Sequence, residues 1–221
     1  MKNLQKMGGI AALIDAATYL VAIGLFLTLL APMGNTELDF GQFMAFFMDN
    51  QVIVFIWDLL SYMVNGVFLV ILALALYDRL KAGSPAMAQV ATVLGLIWAV
   101  MVFASGFITI YGYEVIADLY GKDPAQAATL KLVLGTVTLG LDHSDRFLGC
   151  LWVLLVSWSA LRSGALPKSL NYLGLVISVP GIISTLFPAF NELGIAFGLG
   201  IIVWWIWIGI VMLRSNPSRA A

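Results

Sequence analysis

Charge is scarce in this chain. Of its 221 residues, 11 are Lys or Arg and 12 are Asp or Glu, so charged residues make up 10% while 62% are hydrophobic. A soluble domain carries about 25% charged residues, and so few charges cannot cover a water-soluble globule; most of the surface must face lipid. There is one cysteine, Cys150, and one histidine, His143. The first excludes an intramolecular disulfide or a multi-cysteine metal centre, and the second excludes a cage of several imidazoles. A net charge of −1 leaves no basic excess to attract nucleic acid. Glycine-rich phosphate loops, a Ser-His-Asp arrangement and a histidine pair for haem are also missing, so no cofactor is implied.

What is present is long apolar runs. A spanning helix needs roughly 20 mostly apolar residues to cross about 30 Å of hydrocarbon. Residues 8–31, 52–76, 87–111, 170–187 and 193–213 meet that requirement directly. A sixth run, between Pro124 and Arg162, contains Lys131 and the cluster Asp142, His143, Asp145, Arg146; counting back from Arg162 places the span at 141–161. Lys2 and Lys6 before an apolar run imitate a signal peptide. The run of about 24 residues exceeds an h-region and lacks an A-x-A site, so it reads as an uncleaved first span.

Short cytoplasmic loops carry the excess of Lys and Arg. Lys2, Lys6, Arg79, Lys81, Arg162, Lys168, Arg214 and Arg219 fall on one side, eight of the eleven cations. Both termini are therefore expected in the cytoplasm. Between spans three and four, Ile110, Tyr113, Ile116, Tyr120 and Leu130, Val133, Val137, Leu141 recur at helical spacing around a Gly121-Lys122-Asp123-Pro124 turn. This predicts a helical hairpin projecting beyond the outer membrane face. The fold class is thus all-α: one integral membrane domain over 1–221, a six-helix bundle with an extracytoplasmic hairpin.

In lipid, helices associate through small residues and interhelical hydrogen bonds. Gly194 with Gly198, the Ala91, Gly95, Ala99 repeat, and Gly174 with Ser178 supply packing faces, one of which could instead form a homodimer or a contact with another membrane protein. Pro180 should bend span five. Trp204, Trp205 and Trp207 read as interfacial anchors.

Ionisable groups in hydrocarbon cost about 2.5–3.5 kcal/mol on insertion scales and mark protein interior, water or a functional site. Span two carries Asp58, Ser61, Tyr62 and Asn65 at i, i+3, i+4, i+7, which predicts one shared face. Span one adds Asp15 and Tyr19, span four adds Asp142, Asp145 and Arg146, and span six starts at Asn191 and Glu192. Asp58 lies roughly 9 Å below the outer end of its span, a depth matching Arg146, so an Asp58–Arg146 ion pair is feasible within an outer-leaflet cluster that also holds Tyr62, Asp142, Asp145 and Glu192. Glu114 and His143 stand at its rim, and Asp15 lies too deep to join.

Three functions compete for these residues. A non-catalytic binding, accessory or structural protein would use the cluster to hold lipid or a small molecule, or as a buried network in which Arg146 pairs with the carboxylates. A proton-coupled or solute carrier would use the path Asp58, Asn65, Asp15, although spans one to three and four to six share no polar positions that mark an inverted repeat. A metal-dependent hydrolase would need His143 with Asp142, Asp145 and Glu192, yet adjacent Asp142 and His143 point about 100° apart on a helix. Cys150, seven residues from His143, reads as a packed thiol rather than a nucleophile.

The turn Arg162, Ser163, Gly164, Leu166, Pro167, Lys168, followed by Leu170, Leu173 and Gly174, resembles the uncharacterised bacterial multi-pass membrane family catalogued as domain of unknown function 4386. The similarity runs over about 147–181, and the Ala/Tyr/Leu-rich first span is compatible with it. The resemblance implies an all-helical bacterial protein of the inner (plasma) membrane. It implies no reaction, ligand or catalytic residue.

Overall fold

Pro85 and Pro124 open their helices at the first turn, where a missing N–H costs nothing, and the Asp123 carboxylate accepts from the Gln126 N–H at 3.0 Å. These signals begin the two longest helices of a computed structural model that describes residues 2–35 and 37–214. Helix α1 spans Lys2–Thr28, α2 Phe40–Asp49 and α3 Gln51–Asp58. A π-helical turn, Leu59–Val64, carries α3 directly into α4, Asn65–Leu80. Then come α5 (Pro85–Tyr120), α6 (Pro124–Ser163), α7 (Lys168–Leu186), a 3-10 helix at Pro188–Leu193, and α8 (Gly194–Arg214). No strand occurs among the described residues. Arg219, counted above among the loop cations, lies outside them.

Six segments are long and apolar enough to cross a membrane: α1, the continuous α3–α4, α5, α6, α7, and α8 with its preceding turn. The fourth is longer than the 141–161 expected, because α6 is one unbroken helix of 40 residues. It ends at Gly164, whose φ of 66° is the left-handed conformation a side chain resists.

The six segments close into a ring. Each packs on two neighbours in the order α1, α4, α5, α6, α7, α8 and back to α1. At one end lie the start of α1 and the end of α8, where a Cβ on Gly209 would come 2.9 Å from the Gly9 carbonyl oxygen. The α4–α5 and α6–α7 connections share that end, since Arg79 Nε donates to the Ala165 carbonyl at 3.0 Å. Small residues allow this approach, the usual device where no hydrophobic force drives helices together in lipid.

The middle of the ring is filled by tryptophan. Trp98, Trp152, Trp204 and Trp205 are all buried, with ring centroids at 5.5 Å (Trp98–Trp152), 6.2 Å (Trp98–Trp205, stacked) and 5.7 Å (Trp152–Trp204), while Tyr19 meets Trp205 edge-on at 5.0 Å. This corrects the expectation that Trp204 and Trp205 are interfacial anchors. Glycines leave room for this layer: a Cβ at Gly174 on α7 would fall 2.9 Å from Trp204 Nε1, and one at Gly95 on α5 would fall 2.8 Å from Cδ1 of Trp152 on α6. Only Trp207 of the three is partly exposed.

The far end has its own apolar cluster. Helix α2, started by a reciprocal Asp39–Gln42 capping box, lays Phe43, Met44 and Phe47 against Ile116 and Ala127 near the α5–α6 turn. Lys131, an awkward charge on an apolar helix, rests its ammonium 3.3 Å above the Phe43 ring.

Candidate functional site

Between the tryptophan layer and the far end the ring is not filled. A cavity of about 540 Å³ lies there, walled by Tyr19, Ala22, Ile23 and Phe26 of α1, by Trp57, Ser61 and Tyr62, and by Gly194, Phe197, Gly198 and Ile201 of α8. Asp142, Asp145 and Arg146 of α6 face it together, and buried Trp98 forms its floor. Leu27 and Ile195, 69% and 65% exposed, also line it and mark the mouth. The mouth is therefore at the end away from the termini.

Several polar groups in the cavity are held by neighbouring elements. Trp98 Nε1 donates to Asp145 Oδ1 at 2.5 Å. Arg146 Nη1 donates to Asn191 Oδ1 at 3.1 Å, and its guanidinium packs so closely on Gly194 that a Cβ there would lie 2.8 Å from Nη1. Trp57 Nε1 donates to the Ala22 carbonyl at 2.9 Å, tying α3 to α1, and Tyr62 meets the Trp57 ring edge-on at 6.1 Å. Ser61 Oγ is buried with no hydrogen-bond partner.

The expected span-two face does not form. Asp58 is buried but lines a second cavity of about 250 Å³ with Gln51, Tyr113 and Glu114, whereas Ser61 and Tyr62 line the first. Asn65 turns to α1, its Nδ2 donating to Asp15 Oδ1 at 3.2 Å. The cause is the π turn between them: i→i+5 bonding advances each residue by less than the roughly 100° of an α-helix, so Asp58 falls behind the others. The Asp58–Arg146 ion pair is thereby corrected. Arg146 reaches Asn191, and Asp58 Oδ1 has no hydrogen-bond partner.

Glu192 also leaves the expected cluster, being exposed on the 3-10 turn and outside the cavity wall. His143 Nδ1 lies 2.9 Å from the Leu139 carbonyl oxygen of its own helix. Among the described residues no three His, Cys, Asp or Glu side chains gather as a metal site, so the ligand set a hydrolase would need is not assembled. Cys150 is fully buried between α6 and Gly181 of α7. Gly198, read as half of a packing pair, has no atom within 4 Å of its Cβ position and opens onto the cavity instead.

A separate polar contact lies deeper. Asp15 and Asn65 are both 0% exposed, and beyond their mutual bond Asp15 Oδ2 and Asn65 Oδ1 have no partner. Tyr19 stands between this pair and the cavity, within electrostatic reach of Asp15, Asp142 and Asp145. Sequence reasoning missed Phe26, Trp57 and Trp98 as wall residues, since an aromatic in an apolar span carries no signal of which void it borders.

The family profile described as domain of unknown function (DUF4386) matches residues 16–214. No curated protein and no solved structure matches the chain. That match covers all six membrane-type helices except the first half of α1, including every residue of the cavity wall and the tryptophan layer beneath it, and the chain belongs to the DUF4386 family.

Proposed function

We propose that this chain is a non-catalytic binding protein of the inner (plasma) membrane that holds a small molecule or lipid in the cavity between α1, the π turn, α6 and α8. The observation that carries this reading is the shape of the interior: 540 Å³ open at one end, with three ionisable side chains on its wall and a tryptophan floor at the other. Ligand sites are concave, largely apolar and few per protein, with a small number of placed polar groups, and this volume is within their usual range of about 300–1,000 Å³. The positive-inside rule supports cytoplasmic termini, because Lys6, Arg79, Lys81, Arg162, Lys168 and Arg214 belong to the terminus end. The mouth, α2 and the α5–α6 hairpin then face outward.

Gly198→Trp tests this, because an indole there enters open space and fills the cavity. Native mass spectrometry of protein released from nanodiscs should show bound ligand mass on the wild type and none on the folded variant. Equal bound mass on both would refute the reading.

The carrier reading draws support from one observation, the unpartnered oxygens of Asp15 and Asn65 beneath Tyr19. Movement of a solute would require the Tyr19–Trp205 contact to part. Uptake into proteoliposomes that is lost in Asp15→Asn would favour it over simple binding.

A further inference from the structure

We infer that the cavity selects a lipophilic organic cation, an ammonium or phosphonium centre carrying apolar groups. The inference rests on the binding reading above and adds the chemical class of the ligand. Two features of the wall carry it independently.

The first is charge. Asp142 and Asp145 face the cavity against a single cation, Arg146. Arg146 donates to the neutral Asn191 amide and lies against Gly194, within electrostatic reach of both carboxylates, so the wall carries two acids for one base, and Asp142 is exposed. An anionic ligand would meet two carboxylates against one guanidinium in a site of low dielectric, an excess that favours a cation.

The second is ring density. Tyr19, Phe26, Trp57, Tyr62, Trp98 and Phe197 all border the same space. Aromatic faces carry negative electrostatic potential, and several rings around one site form the cage that recognises quaternary ammonium groups, strongly so where water is excluded. Trp57 and Trp98 are pinned through their N–H groups to Ala22 and Asp145, so these rings are fixed before a ligand arrives. Apolar substituents on the cation would then lie against Ala22, Ile23 and Ile201. A strongly hydrated inorganic cation could not use that surface.

Two ions of the same shape and opposite charge test the inference: tetraphenylphosphonium and tetraphenylborate, measured by equilibrium dialysis against detergent-purified wild type, Asp142→Asn and Gly198→Trp. Expected are saturable binding of the phosphonium by wild type, roughly tenfold weaker binding by Asp142→Asn (about 1.4 kcal/mol), loss of binding in Gly198→Trp, and no saturable binding of the borate. Asp142 is exposed, so its variant should fold, and circular dichroism checks that it does. Equal affinity for both ions, with Asp142→Asn unchanged, would overturn the cation selectivity and leave an unselective binding cavity. Preference for the borate would overturn it in favour of Arg146. Absence of binding by either ion, together with native ligand mass lost in Gly198→Trp, would overturn this inference alone; absence of both would overturn the binding reading as well.

Discussion

The contact between Asp15 and Asn65 ties α1 to α4 at a point neither solvent nor lipid reaches, and a double-mutant cycle should expose it. Asn65→Leu removes the only donor to the Asp15 carboxyl at nearly constant volume. Hydrogen bonds between membrane helices average about 0.6 kcal/mol and reach about 1.7, but the variant also strands both carboxyl oxygens, and an unsatisfied buried polar group costs about 1–3 kcal/mol. The expected loss is therefore about 2–3 kcal/mol. Asp15→Leu should cost less, about 1–2 kcal/mol, because the neutral Asn65 amide it strands is cheaper to bury than a carboxyl group. With both residues replaced, no polar group is left without a partner, so the double variant should be more stable than the sum of the singles by about 1–2 kcal/mol. Unfolding by SDS titration in mixed micelles, followed by far-ultraviolet circular dichroism, gives all four free energies. If Asn65→Leu unfolds within about 0.5 kcal/mol of wild type, or if the two losses simply add, then the pair does not couple α1 to α4 and the assignment is wrong.

Other positions separate tight from loose packing. Gly95→Val should lower stability by about 1–3 kcal/mol, since its branches would strike Trp152 and Ala73, whereas Gly135→Ala on the same hairpin, with nothing within 4 Å, should be neutral or slightly stabilising; thermal melts in detergent read both. Gly164→Ala should cost about 1 kcal/mol by forcing a side chain into a left-handed residue, with no steric contribution because its surroundings are empty. Trp98→Phe keeps the stacked ring but removes the donor to Asp145, and a melt should show a loss of about 1.5–3 kcal/mol, the usual range for hydrogen bonds to charged groups.

The six membrane-type helices were readable because lipid imposes a simple rule: every backbone polar group must be satisfied within the helix over some 20 apolar residues. Helix α2 was hidden inside what reads as a connection. Its signal is present, an Asp39 to Gln42 spacing ahead of Phe43 and Phe47, but ten residues are too few to cross a bilayer and the hydropathy rule that marks the spans does not register them. The span-two face failed for a different reason. Its prediction assumed one period throughout, and a single π turn shifts Asp58 to another neighbour without leaving any mark in composition. Trp204 and Trp205 were misread because tryptophan near a span end has two physical uses, at the headgroups or in a packed core. Gly174 on the facing helix, which leaves the space the Trp204 indole occupies, favours the core. Asp142, Asp145 and Arg146 were found by their cost in hydrocarbon, yet the sequence could not say that they face a void.

That void is made by side chains that are small where bulk would be needed to close it. At the terminus end Gly8, Gly9 and Gly209 let α1 and α8 touch, so the ring has no interior there. One layer further, four indoles fill what the diverging helices leave. Beyond Trp98 the wall positions of α8 include Gly194 and Gly198 beside Phe197 and Ile201, and α1 offers Ala22 between Tyr19 and Phe26; the glycines and Ala22 bring no bulk to fill the space. A ring of six helices that had to be merely stable would put Leu or Phe at Gly198, since an empty site forfeits dispersion contacts and costs roughly 24 cal/mol for each Å³ left unfilled. Stability therefore favours filling this space. A glycine beside open volume, two carboxylates and six aromatic rings is the arrangement expected of a cavity kept open for an occupant.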